Sequence, residues 1–543
     1  MTHDCRYDVL VIGGGVNGAG VFRDAALRGL HCALVEKDDF AAGASGHSSG
    51  MIHGGARYLG EQPKVTKLSC ADSGRIQRIA PHLLFRIPFL FAVPATKRFA
   101  RGLLLGLDGF FEAYDRYQPL KHGLPHERLT AEEARRLEPG LAEDVVGAVV
   151  FDEWGIDGHR LCWLNARAGI AAGGECFTHV RVESLEPRGG GAPGWNVRGR
   201  STLDGSAWSS TARAVLSAAG AWGPGVAGLG GARLRLRPSK GIHLVLDRRV
   251  TNYSITASAL DGRSIFLEPW QNVTILGTTD DDYFGDVDDV PVLQDEVEYL
   301  LSSMETVYPS IRQCRFIDAW VGVRPTLYRY GPYEDDLPRE HEVFDHGVRD
   351  GRPGLFSLAG GKLASYRQMA EDATDVLARH LGVSAGCRTA DGVLPGGDAP
   401  ADEAALVRSR RLPRQVVRRL AYRHGSLAAE VLAPVEERPT WRRSICRCEP
   451  VTEAEVRYAV RRELARTLSD VMHRTRLGTG PCGGLRCALP AALVLAEELG
   501  RDATWAREEA RRFLEQRYRS RRPVVDGDQF RMEAVLARAA REI

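Results

Sequence analysis

Four of the eleven cysteines of this 543-residue chain crowd into one late segment, Cys446 and Cys448 in CRCEPV and Cys482 and Cys487 in PCGGLRC. The other seven (Cys5, Cys32, Cys70, Cys162, Cys176, Cys314, Cys387) show no pairing pattern, and the total is odd. That suits reduced, mostly buried thiols rather than a disulfide framework. Four clustered thiolates make either a zinc site or an iron–sulfur site. Structural zinc usually takes knuckles with roughly two to four residues between ligands. Here one residue separates the first pair and four the second, with a polar helical segment between the pairs, which departs from that pattern. Gly478, Gly480, Gly483 and Gly484 would let backbone wrap close and aim N–H groups at sulfur.

A second chemistry sits at the other end. The β-rich run YDVLVI (Tyr7 to Ile12) leads into Gly13, Gly14, Gly15, Val16, Asn17 and Gly18, then a helical stretch to Gly29, then HCALVE ending at Glu36. This is G-x-G-x-x-G between a strand and a helix. Gly13 permits the tight turn, Gly15 lets a pyrophosphate approach, and Gly18 lets helix pack on strand. The phosphates would meet free N–H groups and the positive end of the helix dipole. Glu36 is placed to accept from a ribose hydroxyl and to repel a 2′-phosphate. The glycines alone leave FAD and NAD both open. A second match, Gly223, Gly225 and Gly228 with Asp247 downstream, contains Pro224, which removes a donor from the turn. It is expected to be a glycine-rich loop beside the same cofactor.

These two sites need a large scaffold, and the chain is long enough for two or more units. It is 44% hydrophobic and 26% charged, an ordinary globular composition. A net charge of +2 from 72 basic and 70 acidic residues gives no field that would predict nucleic-acid binding. The start, MTHDCRYDVLVIGGG, reads as lacking a secretory leader, which predicts the cytoplasm. No window is apolar and long enough to span a bilayer. From Leu83 to Phe111, apolar residues are interrupted by Arg86, Lys97, Arg98 and Arg101, which suits either a segment in the membrane interface or a buried strand and helix.

Five later stretches carry a resemblance: KDDFAAGASGHSSGMIHGGARYL (Lys37 to Leu59), SKGIHLVL, EPWQNVTILGTTDDDYFGD, WVGVRPTL and LAGGKLASYRQMAEDATD (Leu358 to Asp375). Together with the glycine turn they resemble the FAD-dependent glycerol-3-phosphate dehydrogenases over about the first 385 residues. The resemblance implies extended FAD and oxidation of sn-glycerol 3-phosphate to dihydroxyacetone phosphate. It places Lys37, Ser45, Ser48, Ser49, Gly220, Gly360 and Gly361 along the cofactor and Val180 near its adenine. A phosphomonoester calls for cations, and Arg forks grip its oxygens bidentately. Arg57 and Arg339 are expected to hold the phosphate, with Arg324 and Lys362 polarising the reacting oxygen or steadying reduced flavin. A base near neutrality must take the hydroxyl proton, and His243 and His53 match positions near the flavin.

The four late cysteines resemble the [2Fe–2S] domain of the bacterioferritin-associated ferredoxin type, and a flavin body joined to such a tail resembles the large-subunit type of the anaerobic enzymes. That implies electrons leaving towards quinone or a membrane-bound redox partner, in an oligomer peripheral to the inner face of the cell membrane. The segment from Ala80 to Tyr117 is more like the single-subunit, membrane-associated relatives. Rival readings on the same residues are an FAD amine or hydroxy-acid dehydrogenase and a redox adaptor without turnover.

The expected fold is α/β: a discontinuous FAD-binding Rossmann-like domain with an interleaved mixed-sheet substrate domain (residues 1–390), a linker and basic helical segment (391–440), a helical iron–sulfur domain (441–495) and a helical tail (496–543). DGVLPGGDAPADE reads as the linker. RSRRLPRQVVRRLAYRH, with its seven arginines, reads as a basic helical run suited to a solvated face, anionic lipid or an acidic partner.

Overall fold

The computed structural model describes residues 5–60, 63–189, 192–332, 337, 340–525 and 527–540; the side chains of residues 57, 539 and 540 lie outside it. Two large sheets carry the first two thirds. The first has eight strands, with the parallel order Leu355–Gly360, Ala207–Ser217, Tyr7–Ile12, Cys32–Val35, Glu175–Phe177. His341–Asp345 closes one edge in the antiparallel sense, and the hairpin Val180–Pro187 with Trp195–Ser201 is added through Ala207–Ser217. Strands about 200 residues apart pair here because Tyr7–Ile12 is buried on both faces and needs neighbours on both edges. The helices Val16–Leu27, Gly158–Ala171 and Tyr366–Leu381 cover one face with a core that includes Phe22, Trp163, Tyr366 and Met369.

The second sheet has nine strands and builds the other wall of the site. Ser239–Leu246 lies between the antiparallel strands Val273–Gly277 and Phe316–Arg324, and the sheet continues through Ser264–Trp270, Ser254–Ser258, Leu84–Pro94 and Val145–Ile156. The ambiguous stretch from Leu83 to Phe111 therefore divides. Leu84–Pro94 is a core strand, and Ala100–Asp115 is a helix that buries Phe111 and Tyr114 while Phe99, Leu103 and Leu105 face solvent.

Beyond residue 390 the chain is helical apart from a small hairpin, Ser444–Cys446 with Val451–Thr452. The basic run is two helices, Glu403–Arg410 and Arg414–His424, broken at Leu412–Pro413 because proline has no N–H to continue the ladder. The linker is pinned to the lobe of the first sheet: Leu394 is buried there and donates its N–H to the Ile79 carbonyl at 2.7 Å. Packing also runs across the boundaries drawn from sequence. Leu406 to Trp441 share one core with Ala454 and Tyr458, and Cys446 to Ala496 share another with Phe513 and Leu514.

The helical lobe is held to the sheets by buried charges. Arg474 forks onto Asp39 at 2.6 and 2.8 Å, Arg160 meets Glu463 at 2.8 Å, His179 meets Asp470 at 2.9 Å and Arg517 meets Asp318 at 2.6 Å. Buried pairs of this kind specify one docking geometry because either partner left alone is costly.

Candidate functional site

The glycine turn forms as the spacing predicts. Gly13 has φ +114°, and a Cβ there would lie 2.6 Å from the Ala218 carbonyl oxygen; at Gly18 a Cβ would overlap the Gly13 carbonyl. Gly15 caps the helix Val16–Leu27, and the Ser45 hydroxyl accepts the Val16 N–H at 3.0 Å. Glu36 folds back onto the turn, accepting from the Gly14 N–H at 2.6 Å and the Asp38 N–H at 2.8 Å. Burial pushes its pKa up to about 7, against the pull of those two N–H groups.

A cavity of about 760 Å³ starts at this turn and runs between the two sheets. Its wall takes in Gly13, Gly15, Glu36, Lys37, Ser45, Ser48, Ser49, Val180, Gly220, Gly360, Gly361 and Lys362 from the first sheet's loops, and His53, His243 and Arg324 beside the second sheet. Gly14 and Gly18 support the turn without lining the cavity. The fit to an extended dinucleotide rests on a helix N-terminus at one end, side-chain-free backbone along the floor and polar groups at the other. Lys37 lies 4.2 Å from the Trp222 ring and is ion-paired with Asp288. Ser48 accepts from the Gly50 N–H at 3.2 Å. Gly360 and Gly361, with φ +79° and +74°, carry the strand end into Lys362, whose ammonium lies 4.5 Å from the Tyr58 ring.

The polar end is built by antiparallel pairing of Ser239–Leu246 and Phe316–Arg324. His243 Nε2 meets the Ser49 hydroxyl at 2.9 Å. Burial first, and then the Arg324 charge, bring the His243 pKa down to about 3, so the imidazole is neutral at physiological pH and free to accept a proton, but it is a weaker base than the near-neutral group expected from the sequence. Arg324 bonds Asp280 at 3.0 Å, Ser239 at 3.2 Å and Thr278 at 3.1 Å. His53 Nδ1 accepts the Gly55 N–H at 3.0 Å. Of the expected phosphate ligands, Arg339 and the side chain of Arg57 lie outside the described residues; the backbone of Arg57 is in the short helical turn Ala56–Tyr58.

Sequence reasoning missed two parts of this wall. Asp280 positions Arg324, and its signal, the acidic run in GTTDDD, was visible. The apolar arm of Phe89, Phe91, Phe110, Phe111, Phe151 and Phe266 comes from four separate segments and had no local signal. The second glycine match becomes the helix Gly223–Leu229, a helix rather than a loop, and it touches the same cavity through Gly225; Asp247 follows the strand Ser239–Leu246 of the other sheet and does not line the cavity.

The late thiols come together across the two loops. Cys448 Sγ lies 3.8 Å from Cys482 Sγ, and Cys446 interacts with Cys487, so each loop gives one sulfur to each pair. Cys446 and Cys487 are buried and the other two half-buried. The Cys487 contact brings the Cys446 pKa down to about 6, helped by the Gly478 and Glu449 N–H groups, while burial raises Cys448 to about 11. A Cβ at Gly480 would overlap that of Cys448. Among the described residues no three of these thiols lie within 4.8 Å of one another.

Residues 8–367 match the family of FAD dependent oxidoreductases, and residues 387–506 match the C-terminal domain of alpha-glycerophosphate oxidase. The chain belongs to the FAD-dependent glycerol-3-phosphate dehydrogenase family. Over 530 residues it is 34% identical to one subunit of the anaerobic glycerol-3-phosphate dehydrogenase of Escherichia coli K12, covering 96% of this chain and 94% of that one. Identity is 33% to the corresponding subunit of the anaerobic enzyme of Haloferax volcanii, covering 97% and 89%. The solved glycerol-3-phosphate dehydrogenase from Bacillus halodurans complexed with FAD superposes with a TM-score of 0.73 at 26% identity, covering 97% of each chain.

Proposed function

We propose that the protein oxidises sn-glycerol 3-phosphate to dihydroxyacetone phosphate on FAD and passes the electrons through a [2Fe–2S] cluster. The observation that carries the first half is one cavity joining the glycine turn to His243, Arg324 and Lys362. Bound FAD would supply the hydride acceptor. Neutral His243 takes the hydroxyl proton by way of the Ser49 hydroxyl bonded to its Nε2. Arg324 and Lys362 favour the developing negative oxygen, with Asp280 fixing the Arg324 fork. Arg57 and Arg339 grip the phosphate, Glu36 takes a ribose hydroxyl, and Lys37, Ser45, Ser48, Val180, Gly220, Gly360 and Gly361 border the cofactor.

The cluster half is supported by the sulfur grouping. A lone zinc with bonds near 2.3 Å wants all four sulfurs about 3.8 Å apart. Two separate pairs, one at 3.8 Å, with backbone N–H groups on sulfur, suit two irons better. The electrons then go to quinone or to a membrane-bound redox partner. Contact with the inner face of the cell membrane is supported by exposed Phe99, Leu103 and Leu105 beside exposed Lys97, Arg98 and Arg101. No helix among the described residues is long and apolar enough to cross a membrane.

The test is anaerobic addition of glycerol 3-phosphate to the purified chain. The flavin band bleaches, and iron and acid-labile sulfide are present in equal amounts. Bleaching by an amine or hydroxy acid instead, or a colourless protein, defeats the reading.

A further inference from the structure

The two centres come from opposite ends of the chain, and the contact between them is made by side chains that neither site uses. Trp270 ends a strand of the second sheet and is buried. On one side it backs onto the loop that lines the cavity: a Cβ at Gly50 would lie 3.3 Å from the Trp270 Nε1. Its ring also meets Trp320 edge to face at 5.2 Å, and Trp320 pairs across the sheet with His243, their rings 6.3 Å apart. On the other side the Arg476 guanidinium lies 4.2 Å from the Trp270 ring centroid. Arg476 is almost fully buried and reaches Glu449 at 3.5 Å, while Asn272, two residues past Trp270, donates to the Glu449 carboxylate at 3.3 Å. Glu449 adjoins Cys448, and its N–H and that of Gly478, two residues past Arg476, are given to the Cys446 sulfur.

We infer that Trp270, with Arg476 stacked on it, is the contact through which the flavin pocket and the thiol centre exchange electrons. This rests on the flavin and [2Fe–2S] reading above. From Trp270 each step to Arg476, Glu449 and Cys446 is a direct cation–ring, ionic or hydrogen-bonded contact, and towards the cavity Trp270 connects through the Trp320 and His243 rings; electron transfer weakens steeply wherever packed atoms give way to space. With both groups bound, the electron count would balance: the substrate would supply two electrons to FAD, and the cluster would take them one at a time. Added ferricyanide, a one-electron oxidant, drains the cluster and lets the second follow. Trp270 and Arg476 touch neither the substrate nor the reacting atoms, so they are positioning residues. The stacked pair His159 and His473, at 4.1 Å, is the competing route, since His47 beside it also lines the cavity.

The experiment is anaerobic stopped-flow on the full chain with glycerol 3-phosphate, following flavin bleaching optically and cluster reduction by freeze-quench electron paramagnetic resonance. Trp270→Leu and Arg476→Met should retain iron, sulfide and the flavin bleaching rate, and slow cluster reduction several-fold; Trp270→Phe should restore most of it. Unchanged cluster reduction in both the Leu and Met variants overturns the route, and slowing by His159→Leu alone transfers it to the histidine pair. A wild-type chain with no iron, or a cluster reduced by dithionite but never by substrate, defeats the parent reading as well, and those two measurements are made before any variant.

Discussion

The N-terminal glycine turn and the late thiol turn both wrap backbone around a candidate cofactor, yet they are assembled differently. The first is one contiguous strand, turn and helix, whose distant supports include Ala218 and Ser45. The second is two loops 34 residues apart that exchange sulfurs, so that Cys446 meets Cys487 and Cys448 meets Cys482. A contiguous turn takes its shape from φ angles and close packing set within one strand, turn and helix, with Glu36 and Ser45 taking its N–H groups, whereas a cross-loop centre depends on the packing of everything around it. The glycine turn should therefore fail only by direct insult, and the thiol centre should fail separately from it.

The largest effect expected is at Gly18. Valine there drives a side chain into the Gly13 carbonyl, and flavin retention, read as the visible band of the purified protein, is lost; retained flavin would mean the turn is not the cradle. Cys446→Ser should remove the iron and leave flavin bleaching by glycerol 3-phosphate intact, which separates the two centres. If both disappear together, the comparison above is wrong.

Next in size is His243→Asn, expected to slow flavin reduction by about 10²–10⁴-fold, the usual worth of a general base, with iron content unchanged. Because the folded His243 pKa is near 3, the base form persists until pH falls that far. The acid limb of kcat/KM should instead follow the substrate's phosphate, near pH 6. An acid limb that shifts in the residual activity of the variant would count against the assignment.

Asp39→Asn strands the buried Arg474 charge and should cost about 3–5 kcal/mol of stability, read by thermal unfolding. A change below about 1 kcal/mol would show that the lobes do not rely on that pair. The smallest effect belongs to Gly228→Ala, in the helix Gly223–Leu229 but off the cavity wall. Nothing lies within 4 Å of a Cβ there, and alanine in a helix should gain up to about 1 kcal/mol with flavin retained.

Legibility in the sequence followed contiguity. Tyr7 to Glu36 could be read strand by strand, and the cavity-lining side chains His243, Arg324 and Lys362, proposed as catalytic, could be named from the stretches around them. The thiol set was legible as a set because cysteine carries its chemistry in its type, but its pairing was not. Asp280 sat in view in GTTDDD without a stated role, since its partner Arg324 is 44 residues away. The two-sided character of Leu83 to Phe111 was an open question because an apolar run looks alike in a core strand and on a surface helix, and the break at Pro413 inside the basic run was not foreseen.

Residue type and spacing determined that this chain carries a glycine turn between strand and helix, the stretches that build an FAD-binding pocket and four clustered thiols, because those properties reside in side-chain chemistry and in φ angles local to a few residues. Tertiary structure alone decided which sulfurs face each other, that Asp39 receives Arg474, and that Trp270 stands between the two centres. Those relations depend on the registry of strands and helices hundreds of residues apart. Long-range packing sets that registry, and no short window of sequence records it.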